Sequence, residues 1–187
     1  IPELEYILNH AVPRLLICDD EYFPAGEKLC GKGSPWTLCD HDHLAAGYQG
    51  GDYDGADPQA GLGSPMLLVY TSGTTGRPKG VVLTQEAVLF NALNSVHMHD
   101  LDSTDHILTV LPMFHVGGLN IQTTPALYVG ATVTLHRRFE PGAVLADIQA
   151  LSPTRLVLVP ATIMALASHP QWAATDLSSV RSVTTGS

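Results

Sequence analysis

The chain has 187 residues, of which 45% are hydrophobic and 14% are charged, and its formal net charge is −9. This composition is typical of one globular domain with a sizeable core rather than of a disordered chain. The acidic balance argues against nucleic acid as a partner, because nucleic-acid binding needs a basic face, so any phosphate site must depend on a local group of cations.

The cysteines and the longest apolar run bear on the compartment. The three cysteines are an odd number, and Cys18 lies in the apolar run "RLLIC", which is typical of a reduced, buried thiol. The longest apolar run, residues 156–167, contains Pro160 and is far shorter than the roughly 20 residues that span a bilayer. The sequence therefore predicts a protein of the reducing cytoplasm, without a transmembrane helix or a signal peptide.

The first third of the chain carries few strong patterns. Apolar residues recur at helical spacing in residues 3–10, and residues 14–19, "RLLICD", have the pattern of a buried strand. From residue 23 to residue 64 the chain is rich in Gly, Asp and Pro, which predicts loops, short pieces and a surface connection. Residues 1–64 are thus expected to be a helix, a strand and a connection that precede the rest of the domain.

Residues 65–187 alternate between strand-like and helical segments. Thr84 has the position of a helix N-cap, whose side-chain oxygen accepts from an amide of the first turn. Alternation at this spacing predicts crossover connections and a mostly parallel sheet with flanking helices, so the predicted fold class is α/β. Strands are predicted at 66–69, 81–83, 106–111, 131–136, 155–160 and 180–184, and helices at 85–99, 118–130, 141–152 and 161–169.

The segment "YTSGTTGRPKG" (70–80) joins two of these strands. It contains three glycines and four Ser or Thr hydroxyls, and Arg77 and Lys79 add positive charge. Glycine amides can turn inward around an anion, so this composition suits a polyphosphate, although loops rich in Gly, Ser and Thr are also common surface turns. A Walker-type loop does not fit, because it needs a lysine directly after a glycine and before a helix, whereas Pro78 precedes Lys79 and a strand-like segment follows.

Two further clusters have alternative interpretations. "LPMFHVGGL" (111–119) combines an aromatic residue, a histidine and two glycines, which can line a pocket, but a lone histidine such as His115 is more often a structural residue. "CDHDH" (39–43) has the residue types of a metal site, yet zinc sites have tighter paired spacing, so we interpret it as incidental.

These segments resemble the adenylate-forming enzymes, the superfamily of acyl-CoA synthetases, aryl-CoA ligases, luciferases and peptide-synthetase adenylation domains. The resemblance begins with "YTSGTTGRPKG" and extends through "LPMFHVGGL", "YVGATVTLHRRFEP" (128–141), "VPAT" (159–162) and "VTTGS" (183–187). It implies that residues 1–187 are part of the large N-terminal, AMP-binding domain of such an enzyme. The family's C-terminal domain and its catalytic lysine have no counterpart here, so the resemblance implies a piece of a longer enzyme that is inactive by itself.

The resemblance also implies a role for each motif. The loop would close over the ATP phosphates, with Thr71 also near Mg²⁺, and "TTGS" would lie against adenine or ribose. Arg138, and with it Arg137, would approach the CoA phosphates, unless the two arginines are an ordinary solvated surface. The implied ATP contacts are Thr71, Ser72, Gly73, Thr74, Thr75, Lys79, Gly186 and Ser187. The residues implied to border the acid are Phe114, His115, Gly117 and Gly118.

The implied activity is that of an AMP-forming acyl-CoA synthetase, which joins a carboxylic acid to CoA with ATP and Mg²⁺. Peptide-synthetase domains have an aspartate in the second motif, and its absence favours a fatty or aryl acid without an α-amine. A nucleotide- or phosphate-binding module without catalysis is the alternative. The sequence leaves the oligomeric state open, a homo-oligomer included.

Overall fold

A computed structural model describes residues 2–31, 33–47, 57–73 and 76–186. The chain divides into two compact units, Ile1–Leu83 and Thr84–Ser187. Among the helices of the described ranges, none combines the length and the apolar character that crossing a bilayer requires.

The first unit contains two small sheets. β1 and β2 pair in parallel, with Leu15 opposite Thr37, and β3 and β4 are neighbours in a second two-stranded sheet. All three cysteines are free thiols, and burial, helped by the charge of Asp19, raises the pKa of the half-buried Cys18. The elements are α1 (Pro2–Ala11), β1 (Leu15–Cys18), α2 (Phe23–Leu29), β2 (Thr37–Asp40), α3 (His41–Gly47), β3 (Pro65–Thr71) and β4 (Lys79–Thr84).

The helix predicted at 3–10 and the strand predicted at 14–19 are confirmed as α1 and β1. The expected burial of this strand was wrong, because Leu15 is 44% and Ile17 is 48% exposed. The prediction of loops and short pieces from residue 23 to residue 64 missed three regular elements, α2, β2 and α3. Each of them has seven residues or fewer, so none completes enough turns or alternations to give a clear hydrophobic period. Strand pairing accounts for two of them, since β2 lies parallel to β1 and the chain crosses over between them through α2.

The second unit is built on a four-stranded sheet of order β6-β5-β7-β8, in which all neighbouring strands run parallel. The predicted α/β class with a mostly parallel sheet and flanking helices is therefore confirmed. The elements are α4 (Gln85–His99), β5 (His106–Thr109), α5 (Val116–Leu119), α6 (Thr123–Val129), β6 (Thr132–Leu135), α7 (Pro141–Leu151), β7 (Arg155–Leu158), α8 (Pro160–Ala167), a 3-10 turn (Trp172–Ala174) and β8 (Ser182–Thr185).

The helix ends follow from capping chemistry where the sequence carries a clear signal. Thr84 is the N-cap of α4, as predicted, and its Oγ1 accepts from the Ala87 amide at 3.2 Å. Three helices have a left-handed C-cap residue, Asp100 after α4, Gly130 after α6 and Ser152 after α7. A left-handed C-terminal residue lets its amide bond back to the last turn and so terminates the helix.

The single helix predicted over residues 118–130 was wrong, because the chain breaks there into α5 and α6. Side chains satisfy the carbonyls that the break exposes. Thr123 Oγ1 donates to the Gly118 carbonyl at 2.6 Å, and Asn91 Nδ2 of α4 donates to the Asn120 carbonyl at 2.7 Å. Hydrogen bonds of this kind compete with helical ones, and they remove the energetic cost of leaving these carbonyls unpaired at the break.

The central strand β5 sends alternate side chains into two cores. Ile107 faces a cluster with Leu101 and Ala126, whereas Leu108 faces a larger cluster built from β7, α7 and α8. Because successive side chains of a strand point to opposite faces, β5 is covered on both sides. The larger cluster consists of Leu108, Val110, Val144, Leu145, Ile148, Leu156, Leu158 and Leu166.

A buried ion network ties together the amino-terminal ends of β5, β7 and β8. The Asp105 carboxylate, fully buried, lies 3.0 Å from Arg155 Nε and 3.2 Å from Arg181 NH1. It also accepts from the Thr154 hydroxyl at 2.6 Å and from the Asp102 amide at 3.1 Å. Burial by itself raises the pKa of Asp105, but these hydrogen bonds and the Arg155 charge outweigh burial and hold the pKa below its usual range.

Candidate functional site

The glycine-rich loop is held at both ends by one small sheet. Thr71 is the last residue of β3 and Lys79 is the first residue of β4, and both side chains are exposed. Because β3 and β4 are hydrogen-bonded neighbours, the two ends of the loop are fixed to the same support. Three of the expected ATP contacts, Thr74, Thr75 and Ser187, lie outside the described residues.

Gly73 occupies a position that only glycine fits. Its φ is +62°, in the left-handed region, and a Cβ built there would lie 2.2 Å from the Arg77 carbonyl oxygen. The chain therefore folds back on itself within the loop, with the Gly73 backbone against that of Arg77. Gly76 has a φ of +80° and open space around it, so its glycine serves conformation alone.

His115 has a structural hydrogen bond and an exposed ring. It is the N-cap of α5, where its Nδ1 accepts from the Gly117 amide at 3.0 Å. A neutral ring that accepts at Nδ1 carries its proton on Nε2, so His115 can still donate one hydrogen bond. The adjacent Phe114 is 87% exposed. The structural and the functional interpretation of this histidine are thus compatible.

The two glycines of this motif differ in their surroundings. A Cβ at Gly118 would lie 2.3 Å from the Pro112 carbonyl oxygen and 2.5 Å from that of Leu111. The space beside Gly118 is therefore filled by the chain's own backbone and is not open to an acid. A Cβ at Gly117 would meet side chains instead, the His115 ring at 3.1 Å and Leu111 Cδ1 at 3.9 Å. Of the two positions, Gly117 alone borders a side chain that can move.

A cleft of about 440 Å³ lies where β5 and β6 end, and we call it the β5–β6 cleft. The expected acid contact Phe114 and the expected CoA contact Arg138 both line it. Ligands of parallel α/β sheets bind beyond the carboxyl ends of the strands, which is the position of this cleft. Its lining residues are Val110, Leu111, Pro112, Met113, Phe114, Leu135, His136, Arg137, Arg138 and Phe139.

A second cleft, of about 320 Å³, was missed by sequence reasoning, and we call it the α4 cleft. Burial, and then the charge of Arg155, lowers the pKa of His99 on its wall, so this ring is neutral near pH 7. The helical spacing of the α4 residues predicts a shared face but not the partner across from it. The lining residues are Asn91, Asn94, Ser95, Met98, His99, Val116, Asn120 and Ile121.

Comparison with known proteins identifies the family. A model of the family described as AMP-binding enzyme matches residues 1–187. The chain belongs to this family. Solved structures similar to the chain include ATP-bound MatB from Rhodopseudomonas palustris, with a TM-score of 0.82 and 26% identity over 98% of this chain and 37% of that one. This likeness agrees with the α/β architecture described above.

Curated relatives of the chain include CoA ligases. The indoleacetate–CoA ligase of Aromatoleum aromaticum (strain DSM 19018 / LMG 30748 / EbN1) is 52% identical over 100% of this chain and 38% of its own length. The feruloyl-CoA synthase of an Amycolatopsis species is 40% identical over 73% of this chain and 29% of its own length. The chain thus spans well under half of the curated relatives it matches.

The histidine- and acid-rich segment 39–43 lies at the end of β2 and the start of α3. There His41 Nδ1 and Asp42 Oδ1 are 3.0 Å apart, and both side chains are exposed. Within the described ranges, no three His, Cys, Asp or Glu side chains are grouped so that they could share a metal ion.

Proposed function

We propose that the full-length protein is an AMP-forming CoA ligase that acts on an aryl carboxylic acid. The observation that carries the proposal is the loop "YTSGTTGRPKG" between neighbouring strands of a chain that belongs to the AMP-binding enzyme family. Two relatives are named for indoleacetate and ferulate, which are both aromatic acids. The free cysteines are in keeping with a cytoplasmic protein.

The proposed reaction has two steps. A carboxylate oxygen of the acid attacks the α-phosphorus of ATP, an O–P bond forms, and the bond to the bridging oxygen breaks so that pyrophosphate leaves. The CoA thiolate then attacks the acyl carbon, a C–S bond forms, and AMP leaves with the electron pair of the C–O bond. The protein's contribution to the first step is positioning and charge stabilisation.

The loop would grip the ATP phosphates. Thr71 and Ser72 would offer hydroxyl donors, the left-handed turn at Gly73 would let backbone amides face the phosphates, and Lys79 would add a charge-assisted contact. Gly186, exposed just after β8, would approach the adenosine together with Ser187. Thr74 and Thr75, the other two threonines expected to contact ATP, would offer two further hydroxyl donors to the phosphates.

The acid and CoA would use the second unit. The β5–β6 cleft has a volume typical of small-molecule sites and joins the apolar Phe114 ring to the Arg138 cation. An aromatic acid suits the apolar wall, and a CoA phosphate suits the guanidinium. His115 and Gly117 directly follow Phe114 but do not line this cleft. From beside it, His115 would orient the acid through its Nε2–H donor, and Gly117 would border the ring of the acid.

Mg²⁺ is the metal that ATP-dependent acid activation implies, and it would reduce the negative charge on the phosphates. Mg²⁺ is commonly held by substrate phosphates and one or two protein oxygens. The Thr71 hydroxyl, exposed at the end of β3, could supply one of these protein oxygens.

The decisive experiment is acid-dependent ATP–pyrophosphate exchange by the full-length protein, followed by assay of the CoA thioester. We expect exchange with indoleacetate or hydroxycinnamates and little with acetate. Tight ATP binding without exchange for any acid would instead favour a nucleotide-binding module without catalysis.

Lys79→Ala in the full-length protein is expected to raise the KM for ATP and to slow exchange by roughly ten- to hundredfold. The lost charge-assisted contact is worth on the order of 1.5–3 kcal/mol. Lys28→Ala, which removes an exposed lysine from α2, is the matched control. Equal kinetics of the two variants would mean that Lys79 does not contact the phosphates.

Gly117→Leu is expected to discriminate between acids by size. Its side chain would press on the His115 ring, which lies 3.1 Å from the new Cβ, and overpacking costs about 1–3 kcal/mol. kcat/KM should fall by tenfold or more for aryl and long-chain acids but less for acetate, while ATP affinity measured by calorimetry should not change. Uniform losses across the acid series, or a loss confined to ATP affinity, would remove Gly117 from the acid site.

A further inference from the structure

His10, which lies outside the loop, is hydrogen-bonded to Tyr70, the first residue of the segment 70–80. His10, in the last turn of α1, has its Nδ1 2.6 Å from the Tyr70 hydroxyl, across 60 residues of sequence. The His10 and Tyr70 rings meet edge to face, with centroids 5.8 Å apart and planes at 80°. Tyr6, one turn earlier in α1, stacks against the histidine with ring centroids 5.8 Å apart and planes at 16°. The histidine is therefore oriented by one ring and bonded to another.

The Tyr70 ring lies across the other end of the loop. A Cβ added to Gly80 would lie 3.3 Å from Tyr70 Cζ and 2.9 Å from Leu68 Cδ1. Gly80 lacks a side chain, and the tyrosine ring covers its backbone. Tyr70 and Gly80 are the first and last residues of the segment 70–80. The Tyr70 ring therefore connects the two ends of the phosphate loop, next to Thr71 and Lys79.

We propose that His10 is a positioning residue for ATP: through Tyr70 and Gly80 it fixes the two ends of the phosphate loop and so fixes the backbone that carries Thr71 and Lys79. This inference rests on the proposed function, in which the loop grips the phosphates. His10 itself touches neither ATP nor the acid in this scheme. Its role is to reduce the ordering that ATP binding requires.

The physical reason is preorganisation. A backbone that is free to move before a ligand binds loses conformational entropy when the ligand orders it. A clamp at the base of the loop removes part of this freedom beforehand, which improves affinity without a new contact to the ligand. Removing the hydrogen bond between His10 and Tyr70 should therefore raise the KM for ATP and leave the KM values for the acid and CoA unchanged.

The first test uses four variants of the full-length protein: His10→Ala, His10→Asn, Tyr70→Phe and the double variant His10→Ala with Tyr70→Phe. We expect His10→Ala and Tyr70→Phe each to raise the KM for ATP about two- to tenfold, with the KM values for acid and CoA unchanged. The double variant should resemble the single ones, because both single changes remove the same bond. His10→Asn, whose amide lies near the position of Nδ1, should restore most of the ATP affinity.

The control is His97→Ala, which removes an exposed histidine from α4. Thermal melting of every variant separates a loss of fold from a loss of positioning, and Tyr70→Phe and His10→Asn preserve ring packing and polarity if His10→Ala folds poorly. An unchanged KM for ATP in Tyr70→Phe, additive effects in the double variant, or equal losses for ATP, acid and CoA would overturn the positioning role. Absence of acid-dependent exchange in the unaltered protein would overturn the proposed function, and this outcome is distinct because it does not involve a variant.

Discussion

Asp105→Asn is expected to lower the free energy of unfolding by about 3–5 kcal/mol, because it leaves the buried Arg155 guanidinium without its counter-charge. The carboxylate is fully buried and lies 3.0 Å from Arg155 Nε, whose side chain is only 5% exposed. The asparagine keeps the shape of the side chain, so the loss reports on charge and hydrogen bonding rather than on a cavity. Urea unfolding followed by circular dichroism measures the change.

The stabilisation by Asp105 should depend on pH in a definite direction. The pKa of Asp105 is held below its usual range, so its contribution is complete above the unfolded-state value of about 3.9 and is lost as the pH falls through the folded-state value. The gap in stability between the two proteins should therefore be constant near neutral pH and should narrow below about pH 4. Asp176→Asn is the matched control, because this exposed carboxylate accepts from the Ser178 amide but has no buried counter-charge, and it should change stability far less than Asp105→Asn. A gap that persists unchanged in acid would contradict the assignment of the effect to the carboxylate charge.

Gly118→Ala is expected to destabilise the protein by about 1–3 kcal/mol or more, because the new methyl group has no space. It would lie 2.3 Å from the Pro112 oxygen and 2.5 Å from the Leu111 oxygen. Both are backbone atoms of the turn that leads into α5, so they cannot move aside as the end of a side chain can. The free energy of unfolding, from the same urea titration, is the quantity to measure.

Gly117→Ala is the natural comparison, because it makes the same chemical change one residue earlier. Its Cβ would meet the His115 ring at 3.1 Å, and a ring can shift by a few tenths of an ångström. We expect a loss several times smaller than that of Gly118→Ala. Equal losses would mean that the motif requires two glycines for one common reason, such as room for a ligand.

The two ends of the parallel sheet have different tasks in this interpretation. The amino-terminal ends of β5, β7 and β8 carry the Asp105 network, which joins three strands by charge and hydrogen bonds. The carboxyl ends of β5 and β6 lead into the β5–β6 cleft. Substitutions at the first end should therefore act on stability and those at the second on substrate use, which separates the two groups of variants experimentally.

Local chemistry was sufficient to predict much of the architecture. Three features depend on residues within a few positions of each other. They are the alternation of strands and helices after residue 65, the N-cap at Thr84, and the composition of residues 70–80, which suits polyphosphate binding. Hydrophobic period, capping and glycine content are properties of such short windows. They predicted the α/β class and the family resemblance.

Other features were decided only in the tertiary structure. The break between α5 and α6 depends on Asn91, which is far away in sequence and satisfies a carbonyl at the break. Gly117 and Gly118 look alike as letters and differ only in what surrounds them. The bond from His10 to Tyr70 spans 60 residues, and Arg181 meets Asp105 across 76. These contacts depend on how distant segments pack, because a sequence window contains the side chains but not the neighbours that will surround them.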